Sequence, residues 1–212
     1  QHAGVRSKLG KLGPGGLRAT IEALRQFTGI IREANPGIPL VLLGHSWGSL
    51  MAQIIINDHS GDYDAAVLTG TAFRTFRHMN GGDLNARHKH LGTTGVEWLS
   101  RDVAVHHAFR ADQLTFDAKI IERFGLVDAL RLMGKPKRDL PHDIPVLIMV
   151  GDDDPLGGED SAALLADAYV TRSGLSNVEA LIYKGARHEI FNETNKEEVF
   201  ADLVEWLDAH TA

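Results

Sequence analysis

The chain has 212 residues, 43% of them hydrophobic, enough for one α/β domain with a sizeable core, and no segment reaches the apolar length of a membrane span. Its net charge of −6, with basic residues scattered along the chain, gives no footprint for a phosphate backbone, so no nucleic-acid partner is expected. With no cysteine, disulfides, a thiol nucleophile and thiolate metal sites are all excluded.

Gln1 to Leu12 has no apolar signal-peptide core and no initiator methionine, which leads us to expect a fragment or processed chain of cytoplasmic location. Gly13-Pro14-Gly15-Gly16 is glycine-rich, but no strand precedes it and no Lys-Ser/Thr pair follows it. It therefore reads as a turn into a helix and not as a phosphate-cradling loop. Leu17, Ile21, Leu24, Ile30 and Ile31 approximate the spacing of an amphipathic helix, ended by Asn35-Pro36-Gly37.

Pro39 to Met51, PLVLLGHSWGSLM, is the stretch on which the rest depends. An apolar run typical of a buried parallel strand leads into Gly44-His45-Ser46-Trp47-Gly48, and a helical pattern with Leu50, Ile54 and Ile55 follows. Strand, sharp turn, serine and helix is the context of a nucleophile elbow. Such a turn holds the serine in a strained backbone conformation and brings the residues two before and two after it close together, a demand that glycine at Gly44 and Gly48 would meet. The elbow would present Ser46 Oγ at the carboxyl end of a sheet, with the backbone N–H of Trp47 as an oxyanion donor.

Ala65 to Gly70 reads as a second buried strand, so the helix between the two strands makes a βαβ crossover and the sheet is parallel. From Thr71 to Pro141 no strand-like run appears, and short helical pieces alternate with Gly, Asn and His. An inserted helical cap over 71–141 is expected, with residues 1–70 and 142–212 forming the core. This segment carries His78, His88, His90, His106 and His107. His88 and His90 diverge on a helix, so surface or cap-lining histidines are favoured over a metal site. Ile144 to Gly151 is a further buried strand. After it come a helix with Ala162, Leu165 and Ala168 that closes at Gly174, and a last strand from Val178 to Tyr183, near the sheet edge because polar residues interrupt it. Asn195 with Glu198 resembles a capping box that opens a final helix with apolar face Val199, Leu203, Trp206 and Leu207.

A serine hydroxyl needs a base, and the base needs a third group to hold its tautomer. In the elbow fold the order is Ser, then Asp or Glu, then His, each on a loop at a strand's carboxyl end. Gly151-Asp152-Asp153-Asp154-Pro155 and Gly185-Ala186-Arg187-His188-Glu189 occupy those two places, and spacing alone does not choose among the three aspartates.

Leu43 to Ser49, the Gly-x-x-Asp-Pro of Gly151 to Pro155, and Ala186-Arg187-His188-Glu189 together resemble the α/β-hydrolase family of monoacylglycerol lipases and lysophospholipases, from about Leu17 to the end of the chain. The resemblance implies a mostly parallel sheet flanked by helices, with a catalytic triad of Ser46, Asp154 and His188 and the Trp47 backbone in the oxyanion hole. It implies a lipid-like monoester as substrate, no cofactor and no metal, and a structural role for His45. Relatives usually carry methionine where Trp47 stands, so the indole should reshape the pocket. They also have several strands upstream of the first helix and a His-Gly loop that supplies a second oxyanion donor, neither of which this sequence contains. A separate upstream segment or companion chain completing the sheet is therefore expected. Two other readings use the same residues: a peptidase or amidase, and a hydrolase-fold binding protein without activity.

Overall fold

The structure, a computed structural model, describes residue 5, residues 8–117 and residues 119–211. The elements in chain order are α1 (Gly16–Ala34), β1 (Val41–His45), α2 (Trp47–His59), β2 (Ala65–Thr69), α3 (Val103–Ala111), α4 (Ile120–Arg131), β3 (Val146–Gly151), α5 (Gly158–Thr171), β4 (Val178–Tyr183) and α6 (Lys196–Thr211). The strands form one parallel sheet in the order β1-β2-β3-β4. Neighbours in sequence are thus neighbours in the sheet, each pair joined by a connection that contains helix. That is the arrangement a parallel pairing requires.

Side-chain alternation along each strand sorts the core into two layers. Ala66 and Leu68 of β2 and Val146, Ile148 and Val150 of β3 face α2 and α5, meeting Ala52, Ile56, Ala162, Leu165 and Tyr169. Ala65, Val67, Leu147 and Met149 face the other way, onto Val199, Leu203 and Trp206 of α6. A third cluster lies above the sheet. There Leu17 of α1 and Leu50 and Met51 of α2 pack on Val96, Trp98, Leu99 and Leu132 of the β2–β3 connection.

That connection, residues 70–145, contains no strand among the described residues; its helices are α3, α4 and a 3-10 turn at Lys89–Leu91. α4 is interrupted at Gly125, whose φ of 77° and ψ of 163° are not helical. Asp102 caps α3 by accepting from Ala104 N at 2.9 Å.

Three expectations need correction. The elbow strand is not a buried strand: β1 is an edge strand, paired only with β2 among the described residues, and Leu43 is 46% exposed. Its side chain lies on the face that α6 covers farther along the sheet, where Val41 of the same strand still packs against the α6-side cluster. The apolar stripe of α1 is only partly covered as well. Leu17 is buried, whereas Leu24, Phe27 and Ile30 are exposed on the same helix. At the start of α6 the capping box does not form. The Asn195 amide instead donates to Glu198 Oε2 at 2.8 Å, and Asn195 Oδ1 accepts from Arg101 at 2.7 Å. β4 lies at the opposite edge, as its interrupted pattern implies, with Glu179 and Ala180 exposed.

Candidate active site

Three strands deliver the candidate residues to one end of the sheet, where open parallel sheets bind ligands. β1 runs directly into Ser46, which is held at φ 54° and ψ −124°, a region a side-chain-bearing residue rarely adopts. Such a conformation costs on the order of 1–3 kcal/mol and persists only where its surroundings fix it. Two contacts do so: Ser46 N donates to Thr69 O at the end of β2 (2.9 Å), and Ser46 O accepts from Ser49 Oγ (2.7 Å). The following helix passes so close that a Cβ on Gly44 would sit 2.7 Å from the Gly48 carbonyl oxygen, which makes glycine obligatory there. Gly48 is different. A Cβ at that position meets nothing within 4 Å, so only one of the two glycines flanking the serine is demanded by space.

His188 comes from the loop after β4. Its Nε2 lies 2.8 Å from Ser46 Oγ, and its Nδ1 lies 3.0 Å from both carboxylate oxygens of Asp154. Asp154, on the turn after β3, is buried and also accepts from Leu156 N at 2.9 Å. Gly151 makes the approach of these two loops possible, because a Cβ there would overlap the Ala186 carbonyl. Hydroxyl, imidazole and carboxylate thus form one hydrogen-bonded line, with the imidazole able to take a proton from oxygen at one nitrogen while held at the other. Trp47 is the first residue of α2, so its N–H is among the first-turn donors that no helical carbonyl reaches. Its indole stacks on Phe124 of α4, with centroids 4.9 Å apart, and its Nε1 is buried without a hydrogen-bond partner among the described residues.

The acidic run separates by partner. Asp152 accepts from Gly185 N at 2.6 Å, and Asp154 faces His188. Asp153 turns to the β2–β3 connection, where it pairs with Arg87 and with His88 Nε2 at 2.8 Å, and Arg187 approaches it at 3.8 Å. His45 does not face Ser46 as a base. Its Nδ1 lies 3.0 Å from Thr69 Oγ1, and burial, followed by the nearby His188, pushes its pKa down to about 3, so its ring is neutral around pH 7. Of the connection's histidines, His88 is engaged by Asp153, His78 Nδ1 lies 2.8 Å from Thr75 Oγ1, and His106 Nε2 lies 2.7 Å from Ser100 O. No group of three potential metal ligands occurs among the described residues.

One set of residues that steadies the site has no motif in the sequence. Glu193, buried at 1% exposure, accepts from Arg187 N, Arg101 N, Arg101 Nε and Thr194 N at 2.8–3.0 Å, four donors for one carboxylate. Arg187 in turn donates to the carbonyls of Glu97 (2.6 Å) and Ser100 (2.9 Å), and His188 N donates to Trp98 O at 3.3 Å. The His188 loop is thereby fastened to residues 97–101. The available signal was a cation directly before the histidine, in Arg187-His188, but its buried partners lie far off in the chain.

A family model described as serine aminopeptidase, S33 matches residues 7–195. The chain is 29% identical over 201 residues to a monoacylglycerol lipase of Mycolicibacterium smegmatis, with 90% of this chain and 69% of that one covered. It is 27% identical over 196 residues to the monoglyceride lipase of Homo sapiens, with 86% and 62% covered, so it spans roughly two thirds of such relatives. Among solved structures, a soluble variant of the Saccharomyces cerevisiae monoglyceride lipase in complex with a substrate analog superposes with a TM-score of 0.71 at 20% identity, covering 98% of this chain and 73% of that one. A thermostable carboxyl esterase from Bacillus coagulans in complex with glycerol gives 0.71 at 21%, with 94% and 74% covered; at this identity the two show the fold. The chain therefore belongs to the serine aminopeptidase S33 family, has the α/β-hydrolase fold, and is similar in sequence to monoacylglycerol lipases.

Proposed function

We propose that the protein cleaves lipid-like monoesters, of the monoacylglycerol or lysophospholipid class, by two-step acyl transfer on Ser46. The observation that carries this reading is the 2.8 Å approach of His188 Nε2 to Ser46 Oγ, with Asp154 on the other nitrogen. Ser46 Oγ attacks the ester carbonyl as His188 takes its proton, and Asp154 holds the imidazole and stabilises the imidazolium. The N–H of Trp47 donates to the oxyanion. His188 then protonates the leaving alcohol, and water, activated by the same base, releases the acid and restores the serine. No cofactor or metal takes part.

Residues 71–141 serve in this reading as a cap over the 1–70 and 142–212 core. A cavity of about 700 Å³ within that segment, walled by Leu84, Val96, Trp98, Phe109 and Ile120 with Asp83, Arg110 and Lys119, is not lined by Ser46, Asp154 or His188; Trp98, which packs on His188, joins it to the site, and in this reading it receives the acyl chain. An upstream segment or companion chain pairs with β1 and brings a second oxyanion donor. The unpaired edge of β1, exposed Leu43 and the uncovered face of α1 support this. So does the chemistry, since loss of one oxyanion donor costs about 2.7–4 kcal/mol of transition-state stabilisation. The test is hydrolysis of a monoacylglycerol by the protein and by Ser46→Ala, with folding checked by circular dichroism. Abolished turnover in a folded variant is expected, and retained turnover would overturn the assignment. The family's description favours amide hydrolysis as a second reading; faster cleavage of amino-acid anilides than of p-nitrophenyl esters would select it.

A further inference from the structure

Two aromatic rings pack against His188: His45, with ring centroids 5.0 Å apart, and the indole of Trp98, at 4.8 Å and tilted by 41°. His45 offers no charge to stabilise a protonated neighbour, and a proton on either imidazole disfavours one on the other. The indole of Trp98, its centroid 4.8 Å away, can act in the contrary sense, because the π density of an aromatic ring within about 6 Å attracts a cation.

The placement of Trp98 is fixed from its own backbone. Its N–H donates to Asn85 Oδ1 at 2.9 Å and its carbonyl accepts from His188 N, so ring and main chain address the same residue. The other groups around His188 are already engaged. Asp154 and Ser46 occupy its two nitrogens. Arg187 is spent on the carbonyls of Glu97 and Ser100 and leans toward Asp153. Glu189 Oε2 accepts from the Asn192 amide, and Glu97 is taken by Asn85 and Thr94. What residues 97–101 present to the imidazole ring is the indole.

We infer that Trp98 is a positioning residue for His188, holding the imidazole in line with Ser46 Oγ and favouring its protonated form through the indole face. This rests on the proposed roles of Ser46, His188 and Asp154. A proton passes from Ser46 to His188 as the ester is attacked, so an interaction with the imidazolium strengthens during the step it serves.

The experiment is the pH profile of kcat/KM for p-nitrophenyl butyrate with the full protein, Trp98→Leu, Trp98→Phe and Ser46→Ala. The acidic limb reports loss of the proton from the base of the free enzyme. Removing the indole destabilises the imidazolium, so in Trp98→Leu the limb moves to lower pH by roughly half to one unit, and kcat falls about 3- to 10-fold. Trp98→Phe, which keeps a ring, recovers part of both. Replacing Trp98 by ring-fluorinated tryptophans keeps the packing and withdraws π density, so the limb should move down stepwise with fluorine content even if Trp98→Leu does not fold. A limb that stays in place across the fluorinated series would overturn the inference. Ser46→Ala separates the two levels: activity retained there defeats the triad itself, whereas an inactive Ser46→Ala with an immobile limb defeats only the role of Trp98.

Discussion

β1 and β3 are both short apolar parallel strands that end beside a residue of the site, yet all six residues of β3 are buried whereas Leu43 of β1 is 46% exposed. β3 has β2 and β4 on its flanks and helices on both faces; among the described residues β1 pairs only with β2, and of its residues on the α6 face Val41 packs on that cluster whereas Leu43 is exposed. Burial is thus a property of a strand's neighbours as much as of its own residues. The serine is held on the less supported of the two strands, by the Ser46–Thr69 bond and the close passage of α2. The aspartate stands on the better supported one.

The largest effect that sharpens this contrast is expected at the β3 end. Asp154→Asn preserves shape but holds the wrong tautomer of His188, and kcat should fall about 10⁴-fold, by analogy with the handling of this residue type in serine proteases. Asp153→Asn, one residue away, should leave kcat within about tenfold, since its partners are Arg87 and His88. Steady-state kinetics on the two variants decide the matter, and equal losses would refute the assignment of the acid.

At the β1 end the contrast is steric. Gly44→Ala drives a methyl into the Gly48 carbonyl, so strand and helix must part, and stability should drop by about 1–3 kcal/mol with activity lost alongside. Gly48→Ala enters open space in the first turn of α2 and should leave stability unchanged or raise it by up to about 0.5 kcal/mol. Urea melts of the pair measure both. A comparable pair tests burial itself: Leu147→Ala in β3 should cost about 2–5 kcal/mol, whereas Leu43→Ala in β1 should stay within about 0.5 kcal/mol. A large loss at Leu43 would mean that the segment proposed to pair with β1 also covers this side chain.

The last effect is a pH dependence, absent near pH 7 and growing as the solution is acidified. His45 takes up a proton near 6.5 in the unfolded chain but only near about 3 in the folded protein. The unfolded state therefore binds more protons between those values. The stability His45 contributes is intact above pH 6.5 and is lost as pH falls toward 3. His45→Gln should flatten the fall of the melting temperature across that window, as read by calorimetry in steps of pH.

What could be read in the sequence was set by local pattern and chain order. The strand–Ser46–helix run, the acidic loop after Val150 and the His188 loop after Tyr183 each carry their own signal, and their order gave the constellation. Local pattern could not separate Asp152, Asp153 and Asp154, because what distinguishes them is which distant group each meets: Gly185 N, the Arg87 and His88 side chains, and His188. The same reason hid Glu193, whose four donors come from two stretches of chain, and the exposure of Leu43, which reflects what lies beside β1. Asn195 and Glu198 had the right spacing for a capping box, but Arg101, distant in sequence, takes the oxygen the box would use.

The most direct test of the central claim is covalent. A fluorophosphonate probe reacts quickly only with a serine activated by its neighbours, and peptide mapping of the labelled protein locates the adduct. One adduct is expected, on the peptide containing Ser46, abolished in Ser46→Ala and slowed by orders of magnitude in His188→Ala. Labelling of another serine, or undiminished labelling of Ser46 without His188, would contradict it.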